Sequence, residues 1–199
     1  VNGNRAYFVH NYRLYPTNIC VYKCRFCAFR VSKGDERGYE IPAKKVVHEL
    51  DRADLSGVTE FHIVGGIHPD WDFEEYLEFI RAVHEHSPHI HIKAWTGVEI
   101  DHFTHQTGQS IEWVLERMRE AGLGSLPGGG AEIFNWETRR KICRTKCTGE
   151  RWLEIHETAH NLGMKSNATM LYRHIETPED KVDHMLRLRE VQDRTGGFN

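Results

Sequence analysis

Cys20-Val21-Tyr22-Lys23-Cys24-Arg25-Phe26-Cys27 is a C-x₃-C-x₂-C run that holds three of the chain's five cysteines. Three thiolates on one loop can take three corners of a [4Fe–4S] cube, because iron–sulfur clusters favour cysteine ligands; the fourth iron then stays open. A disulfide framework would need even pairing and an oxidising compartment. The bland alternatives are three free thiols or three ligands of a structural zinc. Zinc wants a fourth ligand, and its usual spacing sets one C-x₂₋₄-C against a distant second pair. Cys143 and Cys147 could supply that pair, but with three cysteines already close the count fits poorly.

Working outward, Ala6-Tyr7-Phe8-Val9 reads as a first strand, so the cysteines fall on the loop that follows it. Downstream the chain alternates. A helix is expected from Pro42 through Ser56, a strand over Thr59–Val64 ending at Gly65-Gly66, and a helix Phe73–Glu85 capped by Asp72. A third strand follows at Ile90–Ala94, a helix from Ser110 to Ala121, and a fourth strand at Leu123–Leu126 before Pro127-Gly128-Gly129-Gly130. A helix over Arg151–Leu162, a fifth strand over Lys165–Tyr172 and a helix opened by Thr177-Pro178 and running through Val191 complete five β-then-α units. Such alternation implies an α/β fold with a parallel sheet covered by helices. A full (β/α)₈ barrel takes about 250 residues, so 199 residues are read as a partial (β/α) barrel, one domain over 1–199 and incomplete at both ends. The chain lacks an initial Met and stops at Gly196–Asn199, where a sixth strand would begin. A doubly wound sheet is the alternative topology.

Composition narrows the function. With 39% hydrophobic and 28% charged residues, a net charge of −3 and a mean hydropathy of −0.59, the chain reads as a soluble domain. No run approaches the ~18 apolar residues of a spanning helix, and Val1–Arg5 lacks the basic-then-apolar pattern of a secretory signal. Near-balanced charge gives no electrostatic case for nucleic acid or membrane. The histidines number 14 and are scattered, so most are solvent-facing or satisfied in the core.

The cysteine spacing, with aromatic Phe26 before the last cysteine, resembles the radical S-adenosylmethionine (radical SAM) enzymes. The resemblance implies that Cys20, Cys24 and Cys27 bind a [4Fe–4S] cluster. The open iron would be chelated by the amino and carboxylate groups of S-adenosylmethionine, whose sulfonium is cleaved to a 5′-deoxyadenosyl radical. It also implies a full or partial barrel with the cluster on the first loop. Gly65-Gly66 corresponds to the family's glycine-rich turn toward the cofactor's methionine part; a tight turn at a strand end would explain the pair equally well.

Asn18–Tyr22, Cys24–Phe29, His89–Ala94, Gly122–Ile133, Trp152–His156, Ser166–Tyr172 and Leu188–Phe198 are similar, in order, to the aminofutalosine synthases of menaquinone biosynthesis. Cyclic dehypoxanthine futalosine synthases and deazaflavin-forming synthases share much of the pattern; Ile92-Lys93-Ala94 and Glu154-Ile155-His156 favour the first group. The reaction implied is addition of the 5′-deoxyadenosyl radical to the enol-ether carbon of 3-[(1-carboxyvinyl)oxy]benzoate, then rearrangement and loss of the carboxyl carbon, giving 6-amino-6-deoxyfutalosine and consuming S-adenosylmethionine. It needs a dry interior and cations for two carboxylates. Lys93, Arg173 and His174 are the candidates for the second need, with a rim salt bridge as the bland reading of each. Glu132, after the triple glycine, is a candidate for a ribose hydroxyl of the cofactor, and Ser125 and Thr169 for further hydrogen bonds. Arg173 stands where glycine is expected before His174, and Cys147 has no counterpart. An oxygen-sensitive cluster with reduced thiols implies the cytoplasm, and an electron donor such as flavodoxin or ferredoxin.

A competing motif is His156-Glu157-Thr158-Ala159-His160, a literal H-E-x-x-H on an expected helix, where two histidines one turn apart can bind zinc with the glutamate as base. The third histidine position holds Ser166; Glu176 and Glu179 lie beyond an intervening strand. With Ile155 and Leu162 on its buried side, this helix reads as a barrel cover facing away from the strand ends. A zinc peptidase is the expectation from another class, and a non-catalytic scaffold a third.

Overall fold

Side-chain alternation on short strands decides the architecture. The computed structural model describes residues 3–199. Strands β1 Asn11–Leu14, β2 Glu60–Ile63, β3 His91–Ala94, β4 Ser125–Leu126 and β5 Lys165–Ser166 pair in parallel in that sequential order. A doubly wound sheet reverses strand order at a switch point; this one does not, so it is the singly wound wall of a partial (β/α) barrel. Phe61, Ile63, Ile92, Ala94 and Leu126 point to the helix side and are buried in the main core. On the other face, one register row runs Arg13, His62, Lys93, Ser125, Lys165.

Helices α1 Ala43–Leu50, α2 Phe73–His86, α3 Gly97–Thr107, α4 Ile111–Glu120, α5 Trp136–Cys143, α6 Gly149–Asn161 and α7 Pro178–Thr195 accompany the sheet. Asp72 caps α2 with a reciprocal bond from Glu75, as its sequence suggests. Helix α2 lays Tyr76, Leu77, Ile80 and Val83 on the core, each 0–1% exposed, and each such side chain contributes about 1.5–3 kcal/mol. Beyond β5, Ser166 bridges in parallel to Phe198, and Ser166 N donates to Gly197 O at 3.1 Å. This isolated bridge lies where a sixth strand is expected, and the sheet of the described residues has five strands.

Several expected boundaries move. The first strand is Asn11–Leu14, and Tyr7, Phe8 and Val9 lie exposed outside the sheet. Its inward residues Asn11 and Arg13 are polar, which hid it; Leu14 is buried, and Tyr12 packs edge-on to Phe61 at 6.3 Å. Helix α1 stops at Leu50, and Asp54 closes its own turn by accepting from Ser56 N. The fifth strand ends at Ser166, and the stretch to Tyr172 is irregular backbone, of which Asn167, Ala168 and Thr169 line the site. Helix α3 was not expected, because it buries Glu99, Asp101 and Thr104 alongside Val98, Ile100 and Phe103 and so carries no apolar stripe. Its readable signal was the capping box Thr96/Glu99 and the left-handed Gly108 behind it. Helix α5, short and rich in charge, was missed for the same lack of pattern.

Candidate functional site

The segment between β1 and α1 has little regular structure but is tied at many points. Thr17 is fully buried and donates to Tyr39 O at 2.7 Å, while Asn18 bonds Arg37 O and accepts from Tyr39 N. Cys20 N donates to Val31 O, Val21 N to Ile67 O at 2.9 Å, and Arg25 N to Ile142 O at 2.9 Å. The cysteine loop is therefore held from three sides.

Gly66 makes one of these seats possible. A Cβ there would stand 2.1 Å from Ile19 O and 3.1 Å from Cys20 Cβ, while Gly66 N donates to Thr17 O. Gly65 lines the cavity described next; Gly66 does not, and its work is close backbone approach to the cysteine loop.

Cys20, Cys24 and Cys27 are free, half-buried thiols on the wall of one cavity of about 700 Å³, open at the C-terminal ends of the strands. That is room for a drug-sized ligand, at the end of the sheet where barrels place their sites. Opposite walls come from Gly65 after β2, Thr96 and Glu99 at the start of α3, Pro127–Gly130 and Glu132 after β4, and Asn167 and Thr169 after β5. Burial pushes the Cys20 thiol up and that of Cys24 to about 11. Thiols so placed ionise when a metal supplies the compensating charge.

Among the described residues no three Cys, His, Asp or Glu side chains converge on a single metal-ion position. A cube distributes its thiolates over several irons, so three thiols on a common wall suit a cluster better than one zinc. The residues present fit a [4Fe–4S] cluster with S-adenosylmethionine in the space beside it.

The triple glycine is consumed by packing as much as by the cavity. A Cβ on Gly128 would meet Asn167 O at 2.6 Å, one on Gly129 the Thr96 side chain at 2.9 Å, and one on Gly130 Val98 at 2.4 Å. Gly129 O accepts from Trp152 Nε1 at 3.0 Å. Glu132 is on the wall in left-handed backbone (φ 49°) and accepts from Lys146 Nζ at 2.7 Å. Lys146, which sequence reasoning missed, also lies over the Phe26 ring at 5.5 Å. Burial works against its charge, yet Glu132 and Cys24 hold its pKa above the ordinary lysine value. Thr169 is on the wall and donates to Gly128 O at 2.5 Å.

The remaining expected site residues stand elsewhere. Ser125 sits on the inner row and bonds His91 Nε2 at 2.7 Å, off the cavity wall. Lys93 is on the same row, but its ammonium is turned to the buried Glu60 at 2.8 Å; neighbouring His62 reaches the cavity instead. Arg173 (φ 66°) is exposed, and its N–H donates to Glu176. His174 bonds Leu171 O at 2.9 Å. Lys93, Arg173 and His174 thus do not meet on the cavity wall. The missed wall residues Thr96 and Glu99 were signalled by their capping box, and Arg30 by nothing in its spacing.

The H-E-x-x-H reading is overturned. His156 is fully buried, stacked on Trp152 at 3.6 Å, with Nδ1 on Ser166 Oγ at 2.8 Å. His160 Nε2 shares that same hydroxyl at 2.7 Å, and Glu157 pairs with Arg194 on the far side. The two histidines tie α6 to β5, and the strong depression of the His156 pKa by burial keeps it neutral.

A family model of the radical SAM superfamily matches residues 14–188. The chain is 48% identical over 99% of its length to an aminodeoxyfutalosine synthase of Thermus thermophilus, covering 53% of that protein. It is 40% identical over its whole length to an FO synthase of Mycobacterium leprae, covering 23% of it. The fold of methylornithine synthase superposes with a TM-score of 0.72 at 16% identity, over 91% of this chain and 50% of that one.

Proposed function

The chain belongs to the radical SAM superfamily, and on that premise we propose that it carries the cluster-binding half of an enzyme that joins the 5′-deoxyadenosyl group of S-adenosylmethionine to 3-[(1-carboxyvinyl)oxy]benzoate. Rearrangement and loss of the carboxyl carbon then give 6-amino-6-deoxyfutalosine, in menaquinone biosynthesis. The observation that carries the reading is the cavity at the strand ends with three thiols on its wall, in a chain that spans about half the length of its Thermus relative. When bound, the cluster supplies the electron that releases the 5′-deoxyadenosyl group from S-adenosylmethionine.

The chain's own residues do the rest. Cys20, Cys24 and Cys27 would hold the cluster, with their loop fixed by Val31, Ile67 and Ile142 carbonyls. Gly65, Glu132 and Thr169 border the space for the cofactor, and Glu132 is held by Lys146. Glu99 keeps its place through the Thr96 amide, and burial pushes its carboxyl pKa up. Buried Trp95 and Tyr76 close the wall behind α3 against water. Lys93 and Ser125 on the inner row, with His91 in the row beneath, form a polar floor; in this reading they shape the substrate end, together with Arg173 and His174 from the β5 loop. In this reading the enzyme works in the cytoplasm, where thiols stay reduced, and takes its electron from a donor such as flavodoxin or ferredoxin. No helix of the described residues is long and apolar enough to cross a membrane.

Incubation of the reconstituted enzyme with the enol ether, S-adenosylmethionine and a reductant tests this. Mass spectrometry is expected to find an adenine-bearing adduct of the benzoate. Turnover of a sister substrate in place of the enol ether, with no such adduct, would overturn the assignment.

A further inference from the structure

Arg30 is the guanidinium on the cavity wall, and among the described residues no carboxylate lies within ion-pair distance of it. Its Nε is buried without a hydrogen-bond partner, and one Nη donates to Ser32 Oγ at 2.6 Å. The other cations near the site are committed: Lys146 to Glu132 at 2.7 Å, and Lys93 to Glu60 at 2.8 Å. The backbone beside Arg30 is pinned, since Val31 N donates to Asn18 O at 2.9 Å and Val31 O accepts from Cys20 N at 3.1 Å. The side chain therefore starts next to the first cysteine and three residues past the last.

Leaving a buried N–H unpaired is costly, and a guanidinium recovers that cost best with a planar oxyanion bound through two parallel N–H bonds. We infer that Arg30 binds a carboxylate of the substrate. The inference rests on the proposed function, which supplies a dicarboxylate. The methionine carboxylate of S-adenosylmethionine has the same chemistry, and the separate binding measurements below distinguish the two sources. Arg30 is then a specificity residue for an anionic substrate. Arg30 lines the cavity together with Cys20, Cys24 and Cys27, and His62 lines it from β2.

The test uses cluster-reconstituted enzyme, its Arg30→Gln and Arg30→Lys variants, and four probes: the enol ether, benzoate, benzamide and S-adenosylmethionine. Dissociation constants are measured by calorimetry. The spectrum of the reduced cluster is followed on adding S-adenosylmethionine. Arg30→Gln is expected to weaken the enol ether by about 10- to 100-fold, the worth of a hydrogen bond to a charged group. Arg30→Lys should weaken it less. Wild type should prefer benzoate to benzamide, and Arg30→Gln should erase that preference.

Iron content, S-adenosylmethionine affinity and the cofactor-induced spectral change should all stay as in wild type. Unchanged carboxylate binding in Arg30→Gln overturns the inference, and so does a loss confined to S-adenosylmethionine. A fall in iron content would instead make Arg30 a strut of the cysteine loop. If wild type ignores the enol ether but its benzoate preference still follows Arg30, the proposed substrate fails and the carboxylate site stands.

Discussion

Among the described residues Trp95 (φ 54°), Glu132 (φ 49°) and Arg173 (φ 66°) are the non-glycine residues with left-handed backbone, Trp95 directly after β3 and the other two in the loops beyond β4 and β5. An L-residue held there costs about 1–2 kcal/mol and persists where the surroundings impose it. For Trp95 the cause is the turn that delivers Thr96 to the start of α3; for Glu132 it is the position on the cavity wall. Arg173 has no comparable return. Its side chain is exposed, and its N–H is taken by Glu176. Arg173→Gly is therefore expected to raise stability by about 0.5–1 kcal/mol, the relief of strain less the added freedom of the unfolded chain. Urea unfolding reads this, and destabilisation would show that the arginine side chain carries a contact worth more than the strain. That position was legible as one that wants glycine. Lys93 shows the opposite case: its place on an inward strand position could be read, but its partner Glu60 lies 33 positions earlier, and no local pattern announces the pair.

At the scale of elements, the cysteine loop depends on a turn that belongs to β2. Gly66→Ala drives a Cβ to 2.1 Å from Ile19 O, whereas Gly65→Ala meets Thr17 O at 3.0 Å. The first substitution is expected to cost about 1–3 kcal/mol through overpacking and to reduce iron loading well below that of Gly65→Ala. Iron assays and thermal unfolding on the two variants check this; equal loading would show that the turn does not seat the loop. The sequence carried β2, β3, α2, α4, α6 and α7 because each has an apolar period or a cap. It hid α3, whose buried residues mix polar and apolar, and β1, whose inward side chains are polar. The β4 loop is fixed by something no period reveals. Fully buried Arg139 donates to the carbonyls of Gly130, Ala131, Ile133 and Cys147.

For the whole molecule, the inner face of the sheet departs from the branched apolar filling usual in barrels. Arg13, His62, Lys93 and Ser125 share one row, with Glu60 and His91 in the row beneath. Such a lining suits a polar ligand, and it leads to a cavity where all three loop cysteines stand. The strand order, the position of the cysteines after β1 and their cluster chemistry were readable from one motif and one alternation. The cavity walls were not, because they come from the loops after all five strands, separated in sequence. The central claim is that this wall holds a [4Fe–4S] cluster, and anaerobic reconstitution with iron and sulfide followed by metal analysis tests it most directly. About four irons per chain are expected, with a brown absorbance that disappears in Cys24→Ala; stoichiometric zinc with no iron, or iron indifferent to Cys24, would contradict it.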